Sequence, residues 1–282
     1  MKKTENKRRI LIIAIHGPYE PWLSIVENGQ LRTWSRNYIE DVNIIHAMGK
    51  PVGGYPHKIG EYLYSLKWSR NRFIGIAALL LDKTIKKIIG NKLFRISKTR
   101  DEKSNCEIWQ VNMPDFALLM GNKMLSVIKF AQDNYQFDYL VTTISSSYVN
   151  IQNLKEFTKD LTPNRILAGR FVDVGDEHFQ QGAFRVYSKD VIDYIIKNRR
   201  KYNHSAPEDV AMGRLVRGGS FEEHEMKNST IDSVKLAEDI DIGEIRNDVF
   251  IRCKGASSLG NKLRFDVQIL NIIHSKIIRD KS

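Results

Sequence analysis

Residues 10–15 form an unbroken apolar run, ILIIAI, closed by His16-Gly17-Pro18, the pattern of a parallel strand buried on both faces and ending in a loop. Residues 42–47 (VNIIHA) repeat that pattern and stop at Gly49-Lys50-Pro51, with a helical or loop connection carrying Trp22 and Trp34 in between. Over 73–90, apolar residues recur at helical spacing (Ile74, Ala77, Ala78, Leu81, Ile85, Ile88), and Lys83, Lys86 and Lys87 gather toward the C-terminal half. This predicts an amphipathic basic helix, which either packs its stripe on the core or lays it on a membrane surface. Residues 96–105 read as a charged loop and 107–111 as a short strand. Residues 115–135 read as a long helix with Leu118, Leu119, Met124, Val127, Ile128 and Ala131 inward.

The second half continues the alternation. A strand over 137–143 breaks into Ser145-Ser146-Ser147, followed by a helix over 152–158 and strands over 165–168 and 184–187. Ser188 is placed to cap a helix over 189–198, a helix follows over 208–216, and a strand over 248–253 precedes a terminal helix over 264–278. Strands alternating with helices predict an α/β fold around a mixed central sheet, without a linker or internal repeat. One domain is expected over 1–282, with a basic tail at 1–9 and a basic strand and helix within 220–282 closing the site.

Composition narrows the partners. The 282 residues are 42% hydrophobic and 27% charged, which excludes disordered and fibrous classes, and 44 Lys and Arg against 33 Asp and Glu leave a net charge of +11. The matching partners are nucleic acid, phosphorylated small molecules or an acidic membrane surface, and no nucleic-acid-binding signature is visible in the sequence. Two cysteines make no disulfide framework, and no stretch approaches the ~18 to 20 apolar residues of a membrane span. A cytoplasmic protein, with or without attachment at the inner membrane face, is expected; oligomeric state is left open.

Four constellations carry candidate chemistry. Ser145, Ser146 and Ser147 follow a strand, where an open α/β sheet places its ligand, and offer hydroxyls and N–H groups to an anion or a sugar; a serine-rich turn without a ligand has the same pattern. In His204-Ser205-Ala206-Pro207-Glu208-Asp209-Val210 the two acids either complement a helix N-terminus or supply a general base. Gln181 and Gly182 precede the strand Phe184-Arg185-Val186-Tyr187, where a glycine permits close approach to a sugar or simply a bend. Arg252 and Lys254 share one strand face, with Arg264 shortly after, as a phosphate clamp or a solvated basic edge.

The order of these motifs resembles the inverting β-1,3-galactosyltransferase and Fringe-type glycosyltransferases, which have a GT-A fold. Thr33-Trp34, the helix lysine Lys123, Gly182-Ala183 leading to Ser188-Lys189-Asp190, and an intact Glu208-Asp209-Val210 carry the resemblance over roughly residues 10–220. Where that family has an acidic motif for a divalent metal, this chain keeps the frame of Thr143, Tyr148, Val149 and Asn150 but has serines in place of every aspartate. Neutral hydroxyls are poor ligands for Mg²⁺ or Mn²⁺, so no metal cofactor is expected. The resemblance implies transfer of a sugar from a nucleotide-diphosphate donor such as a UDP-sugar to a glycan or lipid-linked acceptor, as in bacterial surface polysaccharide synthesis. It implies Asp209 as base with Glu208 beside it, and His16, Arg32, the three serines, Arg252, Lys254 and Arg264 at the donor. Gln181 and Gly182 fall at the acceptor. A non-catalytic sugar- or nucleotide-binding relative is the alternative.

Overall fold

The structure, a computed structural model, describes residues 8–36, 39–51, 62, 66, 72–101, 106–116, 119–257 and 260–280, with backbone only at 72, 82–83, 86–88, 256–257 and 260–263. In chain order the elements are β1 (Ile10–His16), α1 (Trp22–Asn28), β2 (Val42–Lys50), α2 (Arg72–Ile89), β3 (Ile96–Arg100), β4 (Glu107–Pro114), α3 (Met120–Asn134) and β5 (Tyr139–Ile144). There follow β6 (Ser147–Val149), α4 (Ile151–Lys159), β7 (Ile166–Val174), β8 (Glu177–Ser188), α5 (Lys189–Asn198), α6 (Glu208–Arg217), β9 (Glu222–Glu225) and β10 (Asn228–Ile231). The chain then forms α7 (Val234–Asp239), α8 (Ile242–Ile245), β11 (Phe250–Cys253), a hairpin of β12 (Ala256–Ser257) and β13 (Gly260–Arg264), and α9 (Asp266–Arg279).

The expected mixed α/β sheet is present: eight strands in the order β3-β4-β2-β1-β5-β8-β7-β9. β1, β2, β4 and β5 run parallel, and β8 returns antiparallel beside β5. The apolar run of β1 serves both faces. Ile10, Ile12 and Ala14 join one core cluster while Leu11, Ile13 and Ile15 join the other, as the two-residue repeat of a strand requires. A second sheet, β10-β11-β6, stands beside the serines that end β5.

Several expectations are corrected. The charged segment from Ile96 is an edge strand, because its backbone pairs antiparallel with β4 while its side chains stay in water. The long helix starts at Met120, since Asp115 turns back on Gly49 and Lys123, and Leu118 lies outside the described residues. β7 and β8 run to Val174 and back from Glu177, longer than their apolar cores, because they hydrogen-bond to one another past the sheet's edge. The terminal helix begins at Asp266, two residues later than expected, after the hairpin strand that ends at Arg264. In α2 the expected stripe is divided: Ile74 and Leu81 are 42% and 44% exposed and Ala77 is exposed, while Ala78 is buried beside Gly75 and Ile85 is partly buried. The side chains of Lys83, Lys86, Lys87 and Ile88 lie outside the described ones.

Candidate active site

β1 is the point from which the parallel strands extend in both directions, so the crevice beyond the carboxyl ends of β1 and β5 is where such a sheet receives ligands. Ser145 and Ser146 turn out of β5 there, and Ser147 starts β6; all three are buried. Their conformation is held from four sides. Gln30 Nε2 donates to the carbonyls of Ile144 (2.9 Å) and Ser147 (3.1 Å), and Trp34 Nε1 donates to Ser147 O at 3.0 Å. Cys253 N donates to Ser146 O at 2.7 Å, and the hydroxyls of Thr143 and Ser147 both donate to Ala183 O at 3.0 Å. The Thr33-Trp34 motif is therefore a brace for this turn, with Thr33 Oγ1 itself donating to Gly29 O at 2.8 Å. Gln30 was not among the candidates; its burial is a tertiary fact without a local signature.

Lys123 braces the neighbouring strand ends. Its ammonium, 1% exposed, donates to both oxygens of Asp115 (2.8 and 2.9 Å) and to the carbonyl of His16 (3.0 Å), while Asp115 Oδ2 accepts from Gly49 N at 2.6 Å. One buried ion pair thus ties β1 to β2. His16 sets Nδ1 against Gly17 O at 3.0 Å, and its Nε2 has no protein hydrogen-bond partner among the described residues. Burial lowers the His16 pKa to about 4, so the ring is neutral at physiological pH.

Asp209 lies in the first turn of α6, where Pro207 occupies the cap position ahead of Glu208. The start of this helix is fixed by a paired charge. Arg185 on β8, fully buried, donates through Nη1 and Nη2 to the two oxygens of Glu208 at 2.8 and 2.9 Å. Burial opposes the Arg185 charge, but Glu208 outweighs it and holds the guanidinium protonated far above its ordinary range. Tyr202 Oη adds a bond to Glu208 O at 3.3 Å. Glu208 is engaged in this pair, whereas Asp209 is half-buried with Oδ1 accepting from Val210 N at 3.0 Å. Gly182 makes room for the helix start: a Cβ there would stand 3.1 Å from Arg185 Nη2 and 3.7 Å from Asp209 Cβ. Gln181, beside it, is partly buried.

The cations come from β11, β13 and β7, and from Lys254, which lies just past the end of β11 at Cys253 and so does not share the expected strand face with Arg252. Antiparallel pairing sets Arg252 directly opposite Ser147. Burial, with Arg170 and Arg264 nearby, pushes the Arg252 guanidinium below its ordinary value, and Asp209 and Asp266 pull the other way; its buried Nε has no hydrogen-bond partner among the described residues. Lys254, exposed, is lowered by burial of its ammonium region and by Arg252 and Arg264. Arg264 spends its charge on Asp266, donating through Nε at 3.0 Å and through Nη2, and its Cζ lies 4.5 Å above the Trp22 ring. Arg170 was missed from sequence because an arginine ending an apolar run resembles any strand terminus. Arg32 is exposed on the turn Gln30–Arg32.

The serine turn, the Gly182 backbone, Asp209 and the Arg170–Arg252 cations are thus brought together from five elements. Among the described residues no group of three or more His, Cys, Asp or Glu side chains is arranged to hold a metal ion. Of the three serine hydroxyls, that of Ser147 is committed to Ala183 O, and Arg252 stands opposite it across the strand pair.

No family model and no curated protein sequence matches this chain, so the expected β-1,3-galactosyltransferase and Fringe-type membership has no match. Solved structures similar to it include the glycosyltransferase GlyE of Streptococcus pneumoniae TIGR4, with TM-score 0.43 and 10% identity over 98% of this chain. This chain spans 65% of the GlyE chain's length. Another is a glycosyltransferase involved in glycosylation of the major capsid of PBCV-1, with TM-score 0.43 and 11% identity over 94% of this chain and 99% of that one. A third is the mannosyltransferase PcManGT from Pyrobaculum calidifontis, in complex with GDP-Man and Mn²⁺, with TM-score 0.39 and 7% identity over 78% of this chain and 55% of that one. At these TM-scores the three likenesses are remote. Among the described residues no helix is long and apolar enough to cross a membrane.

Proposed function

We propose that the protein is an inverting glycosyltransferase that takes a sugar from a nucleoside-diphosphate donor without a metal ion. The carrying observation is the juxtaposition of a half-buried carboxylate, Asp209, with a cluster of mutually repelling cations around Arg252 at the ligand end of an α/β sheet. Arg252 is partly buried with Arg170 and Arg264 as like-charged neighbours, and a diphosphate would relieve that crowding. In this scheme Arg252 and Arg170, with Lys254 at the exposed end, stabilise the charge that builds on the departing diphosphate. Asp209 removes the proton from an acceptor hydroxyl as its oxygen attacks the anomeric carbon; the C–O bond to the diphosphate breaks on the opposite face, inverting the centre. Arg185 and Glu208 are positioning residues that fix the helix start. In this scheme the buried Nε2 of His16, without a hydrogen-bond partner among the described residues, meets a hydrogen-bonding group of the nucleoside, and the donor meets the hydroxyls of Ser145 and Ser146, that of Ser147 being held by Ala183 O. Arg264, paired with Asp266, shapes the site more than it charges it. Acceptor groups near Gln181 and Gly182 would meet Asp209 directly, consistent with a glycan or lipid-linked acceptor.

The test is transfer and binding measured together. Nucleoside diphosphates should raise Tm, Arg252→Ala should weaken their binding about 10-fold or more, and Asp209→Asn should abolish transfer while leaving that binding within about twofold. EDTA should leave turnover unchanged. Normal turnover in Asp209→Asn would remove the base assignment, and loss in EDTA reversed by Mn²⁺ would remove the metal-free step.

A further inference from the structure

The feature that the proposed reaction leaves unused is α2. Its inner face is Gly75 and Ala78, with Ile85 and Ile89 partly buried farther along. At about 100° per residue, Phe73, Ile76, Ala77 and Leu80 fall on the opposite side. Leu80 is 59% exposed, and Ile76, Leu79 and Leu81 are 46%, 42% and 44% exposed. Single exposed leucines are ordinary, but a contiguous apolar helix face marks an interaction surface.

Charge identifies the occupant. Residues 72–100 hold eight Lys and Arg against one acid, Asp82, a net of +7 out of the chain's +11. The order along α2 is apolar first and lysine-rich after, and Lys92 and Arg95 beyond its end are exposed. A second copy docking through this face would bring two such charges together, whereas an anionic bilayer satisfies both halves, burying leucines among acyl chains and setting lysines against headgroups. The turn that follows the helix is tied to the body of the fold. Asn122 Nδ2 donates to Gly90 O (2.9 Å) and Lys92 O (3.2 Å), and the ring of His204, in the loop leading to α6, meets Asn91 Oδ1 at 2.8 Å. We infer that α2 is a membrane-docking helix for anionic lipid surfaces, lying in the interface plane; this stands whether or not Asp209 is a base.

The full chain is sedimented with vesicles of phosphatidylcholine alone or with about one-third phosphatidylglycerol. It should pellet with the anionic vesicles and bind the neutral ones at least about tenfold more weakly. Ile76→Glu/Leu80→Glu should lose binding about tenfold or more, and Lys86→Glu/Lys87→Glu should lose the preference for anionic lipid. Should the glutamate variant fail to fold by circular dichroism, a Leu80→Cys protein with an environment-sensitive dye decides, since Cys106 and Cys253 are buried; its emission should shift to the blue on anionic vesicles. No pelleting, equal binding to both vesicles, an unshifted dye, or a dimer that Leu80→Glu dissociates would each overturn the inference.

Discussion

Replacing Glu208 by Gln tests how the start of α6 is held. In the native protein the Arg185 guanidinium is 0% exposed and makes two hydrogen bonds, 2.8 and 2.9 Å, to a carboxylate whose side chain is 15% exposed. Removing one partner of a buried pair costs about 3–5 kcal/mol, because the remaining charge is left uncompensated in a medium that solvates it poorly. The Gln amide retains one acceptor, which returns about 1 kcal/mol, leaving a net loss of roughly 2–4 kcal/mol. At about 2–4 °C per kcal/mol for a large domain, Tm should fall by roughly 4–16 °C. Urea unfolding followed by circular dichroism measures the free energy, and Arg185→Met/Glu208→Gln completes a double-mutant cycle. With both charges gone, the double variant should be more stable than Glu208→Gln alone. A loss under about 1 kcal/mol for Glu208→Gln, or strict additivity in the cycle, would refute the view that this pair fixes the helix start.

Two further outcomes are expected. Burial holds the His16 and His46 pKa values at about 4 and 3 against an ordinary 6.5, so the folded state binds fewer protons than the unfolded one. Their stability contribution is therefore complete above pH about 6.5 and is lost as pH falls toward 4; His46→Leu should flatten the acid side of a stability-versus-pH curve, and an unchanged slope would contradict this. Gly213→Ala would set a Cβ 2.4 Å from Phe179 Cβ, so despite alanine's better helix propensity it should destabilise by about 1–3 kcal/mol in a chemical unfolding titration.

Much of the sheet is legible in local pattern. The run ILIIAI can only be a strand covered on both faces, and it supplies both core clusters in alternation. Residues 189–198 fold as the helix their spacing predicts, and Glu208-Asp209 open a helix behind Pro207. Ser188 sits at the expected cap position, yet its hydroxyl accepts from Ile166 N and donates to Asp190 rather than capping. A propensity names the residue suited to a position; packing decides which neighbour takes its hydrogen bond.

Edge strands were invisible for a related reason. β3, β9 and β10 are short and polar, and they become strands only because a neighbour presents an unpaired ladder. Which side of α2 faces inward is not legible, because any apolar stripe looks inward until the surface beneath it is known; here Gly75 and Ala78 are buried and Ile85 and Ile89 partly so, while Ile74 and Leu81 stay exposed. Residue chemistry pointed to Asp209, to the serines and to Arg252 as separate candidates, because carboxylates, hydroxyls and cations carry their reactivity wherever they stand. Setting Arg252 opposite Ser147, and Gly182 against the start of α6, required pairings between residues far apart in the chain, whose energies depend on the whole sheet and leave no trace in local periodicity.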